Sequence, residues 1–548
     1  MNTINGLMFA QMIDLGARNL AKNAEKINSL NVFPVPDGDT GTNMNLSMSS
    51  GAAETRNNIV SNIGQLGKSF SKGLLMGARG NSGVILSQLF RGMSQYIENK
   101  EEITAKEFAQ AMQNGVEIAY KAVMKPVEGT ILTVARESAE LGLKASENTD
   151  SVIEVMESIL EGAQESLKRT PELLPVLKEV GVVDSGGQGL VCVYQGFLAA
   201  LKGEEIEGLD AVQTNILNMN FEDDHSNMDF MSTEDIVYGF CTEFTVRLDS
   251  SKKAFDEQTF REDLNKFGDS LLVIADDEYA KTHIHTETPG DVFNYGQQYG
   301  ELIKIKSENM REQHREVLKK QGLTESKKEK VEYANVAVSM GEGLSELLKS
   351  FGVDYVVEGG QTMNPSTEDL LKAIKAVNAK NIYIYPNNKN IQLAAQQAAD
   401  LSDDNVFVVS SKTAPQGIAA IMVFNPEATP EENYNNMQST LDSVKTLEIT
   451  YAVRDTNIQG VEIKESQYMG ILDGKILCAN ENVNITIEEL LSKSIDEDSE
   501  IVTLYLGEDS EDDTVSFIEE TISEKFPDIE LEIVNSGQPV YPYIMGVE

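Results

Sequence analysis

Residues 31–44 read Asn31-Val32-Phe33-Pro34-Val35-Pro36-Asp37-Gly38-Asp39-Thr40-Gly41-Thr42-Asn43-Met44. Pro34 and Pro36 end whatever helix precedes them, because proline lacks a donor and pushes its neighbour out of the α region. Asp37 and Asp39 then sit two residues apart on a glycine turn, oxygen ligands at close quarters that suit a hard cation such as Mg²⁺. Thr40 to Asn43 open the next helical pattern, and the N–H groups of a helix start are a ready seat for phosphate. A metal beside a phosphate points to a nucleotide. The same run also makes a good Asx turn with no ligand at all, and on local grounds the two readings stand level.

On either side the pattern is helical. Leu7, Phe9, Met12, Ile13, Leu15, Leu20, Ile27 and Leu30 recur at helical spacing before the motif. After it, helices are expected at 43–50 and 59–75, with a loop carrying Glu54 to Asn58 between them, then at 84–98, 105–123, 131–143, 151–168 and 189–202. Almost no strand pattern interrupts them, so residues 1–205 read as an all-α domain. Three more of its connections are polar, glycine-bearing and placed before a helix: Gly77-Ala78-Arg79-Gly80-Asn81-Ser82-Gly83, Lys125-Pro126-Val127-Glu128-Gly129-Thr130 and Val183-Asp184-Ser185-Gly186-Gly187-Gln188-Gly189. One such loop is an ordinary N-cap; four in one helical domain argue for a shared phosphate-binding wall. Gly67-Lys68-Ser69 imitates the end of a Walker A loop, but Asn62 stands where the first glycine belongs and no strand precedes it.

The remaining chain divides by composition. Residues 206–232 are acidic and polar, a linker. Residues 233–326 alternate as β-α-β-β-α-β, a small split-βαβ domain of α+β class. Residues 332–548 are α/β, with buried-strand candidates at 336–339, 355–358, 381–385 and 406–409 that predict a parallel sheet. The final hundred residues, with strands expected at 448–452, 501–506 and 530–534 and helices at 487–492 and 515–525, form a second lobe or a separate subdomain. A chain of 548 residues needs about three or four domains in any case.

A net charge of −43 repels phosphate backbones, which argues against nucleic-acid binding. No apolar run approaches membrane-spanning length, and the first residues lack the basic start of a signal peptide. Cys192, Cys241 and Cys478 lie far apart, as free thiols do. A cytoplasmic protein without integral membrane contact is the expectation.

A second constellation lies in the middle domain. His283 and His285, two of the four histidines, alternate on one strand and so face the same side. Cys241, on another expected strand, would complete a three-ligand metal set. Histidines on a solvated face beside a buried thiol are the equal alternative. His225 and His314 are expected to be solvated, and Cys192 and Cys478 to be a core residue and a strand residue.

The run PVPDGDTGTNM resembles the G-D-x-D-x-G-x-N signature of the nucleotide-binding domain of dihydroxyacetone kinases, and GARGNSG, KPVEGTILT and VVDSGGQG follow at matching separations. The strand around Cys241, the phrase Thr282-His283-Ile284-His285-Thr286, GQQYGELIKIKSENMREQH, VVEGGQTMNPSTEDLL and YPNNKNI are similar to the ATP-binding A subunits of bacterial fatty acid kinases across nearly the whole chain. That resemblance implies an N-terminal helical barrel, a zinc-binding middle domain and a DegV-like C-terminal region. It implies a kinase that makes acyl phosphate from ATP and a fatty acid for phospholipid synthesis, with the acid presented by a separate fatty-acid-binding protein that docks on the middle or C-terminal region. A homodimer is also implied. Asp37 and Asp39 would hold Mg²⁺ and serve catalysis; Thr40, Thr42, Asn43, Asn81 and Ser82 would hold phosphates; Gly129, Thr130, Asp184, Ser185 and Gly186 would surround the adenosine of ATP or ADP. Cys241, His283 and His285 would hold Zn²⁺. Dihydroxyacetone kinases carry a third metal-binding aspartate where this chain has Val32, and Asn31 is the nearest substitute; they carry histidine at the position of Thr40. A dihydroxyacetone-type kinase and a non-catalytic nucleotide- and zinc-binding scaffold are the competing readings.

Overall fold

Asn5 accepts a hydrogen bond from the Met8 N–H at 3.0 Å and so starts helix α1 (Gly6–Asn28). The computed structural model describes residues 1–31, 38–123, 125–204, 237–275, 278–312, 330–360, 363–458 and 460–548. The chain forms two compact units, residues 1–209 together with 330–548, and residues 210–329. Asp37, the expected linker, His225 and His314 lie outside the described residues.

In the first unit α1 is followed by α2 (Thr40–Asn57), α3 (Ile63–Met76), α4 (Gly80–Ile97), α5 (Ala105–Ala122), α6 (Ile131–Ser146), α7 (Val152–Leu173), α8 (Pro175–Val180) and α9 (Ser185–Lys202). Helix α2 runs through Asn57, so the loop expected at Glu54 is helical; Thr55 Oγ1 returns its proton to the Gly51 carbonyl at 2.8 Å, which lets a β-branched polar residue sit inside the turn. Two three-residue strands, β1 (Thr3–Asn5) and β2 (Glu102–Thr104), pair across the start of the fold, too short for any sequence period to reveal. Successive helices from α1 to α7 pack on one another, and α9 packs on both α7 and α1. Phe9, Phe70, Phe90 and Phe197 meet at the centre with ring centroids 5.2 to 6.5 Å apart. Helices α1 and α9 approach so closely that a Cβ on Gly196 would lie 2.5 Å from the Gly16 Cα, which is why both positions are glycine.

The rest of this unit is α/β. A four-stranded parallel sheet has the order β10-β9-β7-β8, from β7 (Val331–Ser339), β8 (Tyr355–Glu358), β9 (Ala379–Tyr385) and β10 (Asn405–Val408). Its central strand, Ile382-Tyr383-Ile384-Tyr385, is fully buried, as a strand covered on both faces must be. Helices α12 (Glu342–Ser350), α13 (Thr367–Val377), α14 (Gln392–Leu401) and α15 (Ala414–Met422) connect and flank the strands, and α16 (Pro430–Thr440) follows. Ala78 and Val84 of the helical part share the apolar cluster of this sheet with Val336, Ile374 and Ile382.

The last hundred residues hold a six-stranded mixed sheet in the order β15-β14-β11-β18-β16-β17. Its strands are β11 (Lys445–Tyr451), β14 (Tyr468–Leu472), β15 (Lys475–Asn480), β16 (Ile501–Leu506), β17 (Glu530–Asn535) and β18 (Tyr543–Val547), with β12 (Thr456–Ile458) and β13 (Val461–Ile463) as a separate hairpin. Helices α17 (Val483–Ser494) and α18 (Asp512–Lys525) pack on it. Cys478 lies buried on β15, and burial pushes its thiol up to about 11. Cys192 is buried in α9.

The second unit has β3 (Phe240–Leu248), α10 (Glu257–Leu264), β4 (Gly268–Ala275), β5 (Tyr279–Thr286), α11 (Pro289–Gln297) and β6 (Gly300–Asn309), the expected order of elements. The sheet is antiparallel, β4-β5-β3-β6. Phe244, Val246, Val273, Ala280 and Ile284 form a core with Phe260 of α10 and Val292 and Tyr295 of α11.

Candidate functional site

Four helix starts of the first unit open on one cleft of about 650 Å³: Asp39–Thr40 before α2, Asn81–Ser82 in α4, Thr130–Ile131 before α6 and Asp184–Ser185–Gly186 before α9. Each helix leaves N–H groups without a partner in its own ladder at this end, and each macrodipole has its positive end at the cleft.

Local hydrogen bonds set each start. Asn28, in the last turn of α1, accepts from Gly41 N at 2.7 Å and Thr42 N at 3.2 Å and donates from Nδ2 to Thr42 Oγ1 at 3.0 Å. Thr42 is thereby turned to the helix below and does not line the cleft. Thr40 donates to Asn31 Oδ1 at 2.8 Å and accepts from Ser185 Oγ at 3.3 Å, which links the starts of α2 and α9. Asn31 lines the cleft, and its backbone carbonyl accepts from the Arg454 guanidinium. Asp184 caps α9 by accepting from Gly187 N at 2.6 Å; burial pushes its carboxyl up to about 6 against the pull of that N–H. Gly129, at φ +82°, gives its N–H to Thr133 Oγ1 at 2.9 Å and stands behind the wall that Thr130 faces.

The opposite wall belongs to residues 388–541, with Asn364 buried behind Asp39 and Asn43. The loop after β8 buries Asn364, whose Nδ2 donates to Asp39 Oδ2 and lies 3.5 Å from Asn43 Oδ1. Ser366 in the same loop caps α13 through a capping box with Asp369, so this loop both caps a helix and contacts Asp39 and Asn43 of the cleft. Asn390 faces Asn81 at 3.4 Å. Lys389 and Lys412 bring exposed ammonium groups to the rim, and Glu448, Asp473 and Tyr541 complete the wall. The two strand-end loops Asn364–Thr367 and Pro386–Lys389 are where an α/β sheet places its ligands. Lys412 follows β10 in the same way, whereas Glu448, Asp473 and Tyr541 carry no such signal.

In the second unit, β3 and β5 pair so that Cys241 faces His285 and Glu243 faces His283. Donor atoms of Cys241, His283 and His285 all lie within 4.8 Å of one another. His283 Nδ1 lies 3.3 Å from Glu243 Oε1 and 4.0 Å from Cys241 Sγ, while His285 Nδ1 lies 3.7 Å from Asp269 Oδ1. A soft thiolate with two imidazoles suits zinc, and the two carboxylates are placed as outer partners of the rings. The three residues fit that ion.

Known proteins match most of the chain. The FakA-like C-terminal family of the fatty acid kinases matches residues 334–548, the FakA-like middle domain matches 237–317, and the DAK2 domain matches 34–199. Over 547 residues the chain is 55% identical to an uncharacterized protein of Staphylococcus aureus (strain USA300), covering 100% of this chain and 99% of the relative. Among solved structures it is similar to the fatty acid kinase B3 protein of Streptococcus pneumoniae loaded with linoleic acid, at 12% identity and a TM-score of 0.30, over 40% of this chain and 99% of that one. It is similar also to the dihydroxyacetone kinase from C. freundii in complex with AMP-PNP and Mg²⁺, at 20% identity and a TM-score of 0.28, over 35% of this chain and 33% of that one.

Proposed function

This chain belongs to the FakA-like family of fatty acid kinase proteins, and on that premise we propose that it phosphorylates the carboxyl group of a fatty acid with ATP. The product is an acyl phosphate destined for phospholipid synthesis. The observation that carries this reading is the convergence of four helix starts, Asp39 among them, on one cleft. Such a set suits a triphosphate, because each start offers N–H donors and a positive dipole end.

In the transfer, a carboxylate oxygen of the acid bonds to the γ-phosphorus. The bond from that phosphorus to the bridging oxygen breaks, and ADP leaves with its electron pair. A carboxylate is already ionised at neutral pH, so the reaction asks for no general base. Positioning and charge neutralisation remain. We assign the positioning of phosphates to Thr40, Asn43, Asn81 and Ser82, and the adenosine to the wall of Thr130 and Asp184 to Gly186. Lys389 and Lys412 bring positive charge to the two anions that must meet. The oxygen donors of Asp39, Asn31 and Asn43 fit a hard cation, and with Asp37 they would hold Mg²⁺, which neutralises charge on the transferred group. Cys241, His283 and His285 would hold Zn²⁺. The acid arrives on a separate fatty-acid-binding protein, and the chain acts in the cytoplasm as a homodimer.

ATP consumption by the purified chain, with oleate and a lipid-loaded fatty-acid-binding protein, tests the reading. Turnover that needs both supports it; turnover with dihydroxyacetone alone, or nucleotide binding without turnover, refutes it. Asp39→Ala is expected to cut turnover by roughly a thousand-fold, the loss of several kcal/mol of charge stabilisation.

A further inference from the structure

Asn364 is 325 residues from Asp39 in sequence, belongs to the α/β part of the unit, and is only 1% exposed. Its Nδ2 donates to Asp39 Oδ2 and lies 3.5 Å from Asn43 Oδ1. Its Oδ1 is buried and has no hydrogen-bond partner among the described residues. A buried amide oxygen without a partner is costly, so such a position calls for something that an acceptor can satisfy. The neighbouring carboxylate of Asp39 cannot donate when ionised. Arg79 is engaged elsewhere: it donates to the Asn364 backbone carbonyl at 2.9 Å and lies 3.7 Å from Asp369 Oδ2.

The loop is held where it runs into α13. Thr367 N donates to the Ala78 carbonyl at 3.1 Å, beside a β-bridge between Arg79 and Ser366. Gly80 has φ +56°, and a Cβ there would lie 2.5 Å from Asn43 Nδ2 and 3.5 Å from Asn364 Nδ2, so the helix start leaves room for both amides. This is a position built to bring one amide to one carboxylate.

We propose that Asn364 is a positioning residue of the cation and phosphate site: its N–H fixes the Asp39 carboxylate, and its carbonyl oxygen offers a further oxygen ligand to the cation or to a water of its shell. The nucleotide site is then shared between the helical part and the α/β part of the unit. This rests on the reading that the cleft takes a magnesium nucleotide.

The test is calorimetric titration of the full-length protein with ADP over a range of MgCl₂ concentrations, with thermal unfolding as the control for folding. Asn364→Ala should need at least ten-fold more Mg²⁺ for half-maximal ADP binding. Asn364→Asp, which keeps an oxygen ligand and adds charge, should bind ADP at least ten-fold more weakly than wild type without Mg²⁺ and recover when Mg²⁺ is added. Wild-type magnesium dependence in Asn364→Ala, or identical behaviour of the two variants, overturns the proposal. If the alanine variant fails to fold, the aspartate variant decides alone, and wild-type binding by it without Mg²⁺ overturns the proposal. Asp39→Ala separates the two levels. Unchanged binding there refutes the nucleotide reading itself, whereas loss there with an unaltered Asn364→Ala refutes only the role of Asn364.

Discussion

The cleft of the first unit and the Cys241 cluster of the second each gather several polar side chains, at opposite ranges of sequence. One antiparallel register suffices for the cluster: Cys241 stands opposite His285, and His283 follows on the same face. The cleft draws on residues from Asn31 to Tyr541, and its walls are joined by an apolar cluster shared between the helical part and the parallel sheet and by hydrogen bonds such as Thr367 N to the Ala78 carbonyl. A site of the first kind stands or falls with one strand pair. A site of the second kind depends on core packing far from any ligand, and damage to that packing should reach it.

The strongest way to break this contrast is Phe197→Ala. Phe197 is fully buried between Phe9, Phe90 and Tyr194, and its removal should cost the first unit about 3–5 kcal/mol. Denaturant unfolding should show the loss, ADP affinity should fall near the lowered midpoint, and zinc content should not change. Loss of zinc as well would mean that the two sites are not independent. The reverse experiment is Cys241→Ala: elemental analysis should find about one equivalent of zinc per chain in wild type and none in the variant, with ADP binding unaltered.

Asp184→Asn sharpens the comparison within the cleft. Burial raises this carboxyl from its ordinary 3.8 to about 6, so between those values the folded chain keeps a proton that the unfolded chain releases. The group therefore costs stability increasingly as pH rises from about 4 through 6, and the full cost is present at pH 7. Asparagine keeps an acceptor for Gly187 N without the charge. The variant should melt about 2–4 °C higher at pH 7.5, a gain on the order of 1 kcal/mol, and equal to wild type below pH 4. The smallest effect is expected from Lys412→Ala. An exposed ammonium is screened by solvent, so the KM for ATP should rise by only about three- to ten-fold, with the rise shrinking in high salt.

The same contrast explains what the sequence discloses. The helix starts at Thr40, Asn81, Thr130 and Asp184 are legible one at a time, because caps, glycines and the 3.6 period are local. The Cys241 cluster is legible because period two and a four-strand pattern nearly fix its register. The far wall is not. Glu448, Asp473 and Tyr541 reach the cleft through tertiary packing that no window of the chain encodes. Asn364 and Asn388 are partly legible, since they follow strands of a parallel sheet. One local signal escapes the motif reading: Asp473 and Gly474, with φ +48° and +78°, join β14 to β15, and Asp-Gly between two apolar runs is the mark of a tight hairpin. Strands β12 and β13 are only three residues long, below the length at which alternation can be counted.

The second unit interrupts the sequence of the first, and Ala78 and Val84 share an apolar cluster with strands and helices made after it. During synthesis at about 5–20 residues per second, the helical part waits on the order of tens of seconds for the rest of its own unit. Through that interval the Ala78–Val84 face is bare on the nascent chain, a natural landing place for a holdase. Ribosome-bound intermediates should engage a chaperone there and release it only once the strand of Ile382 has emerged.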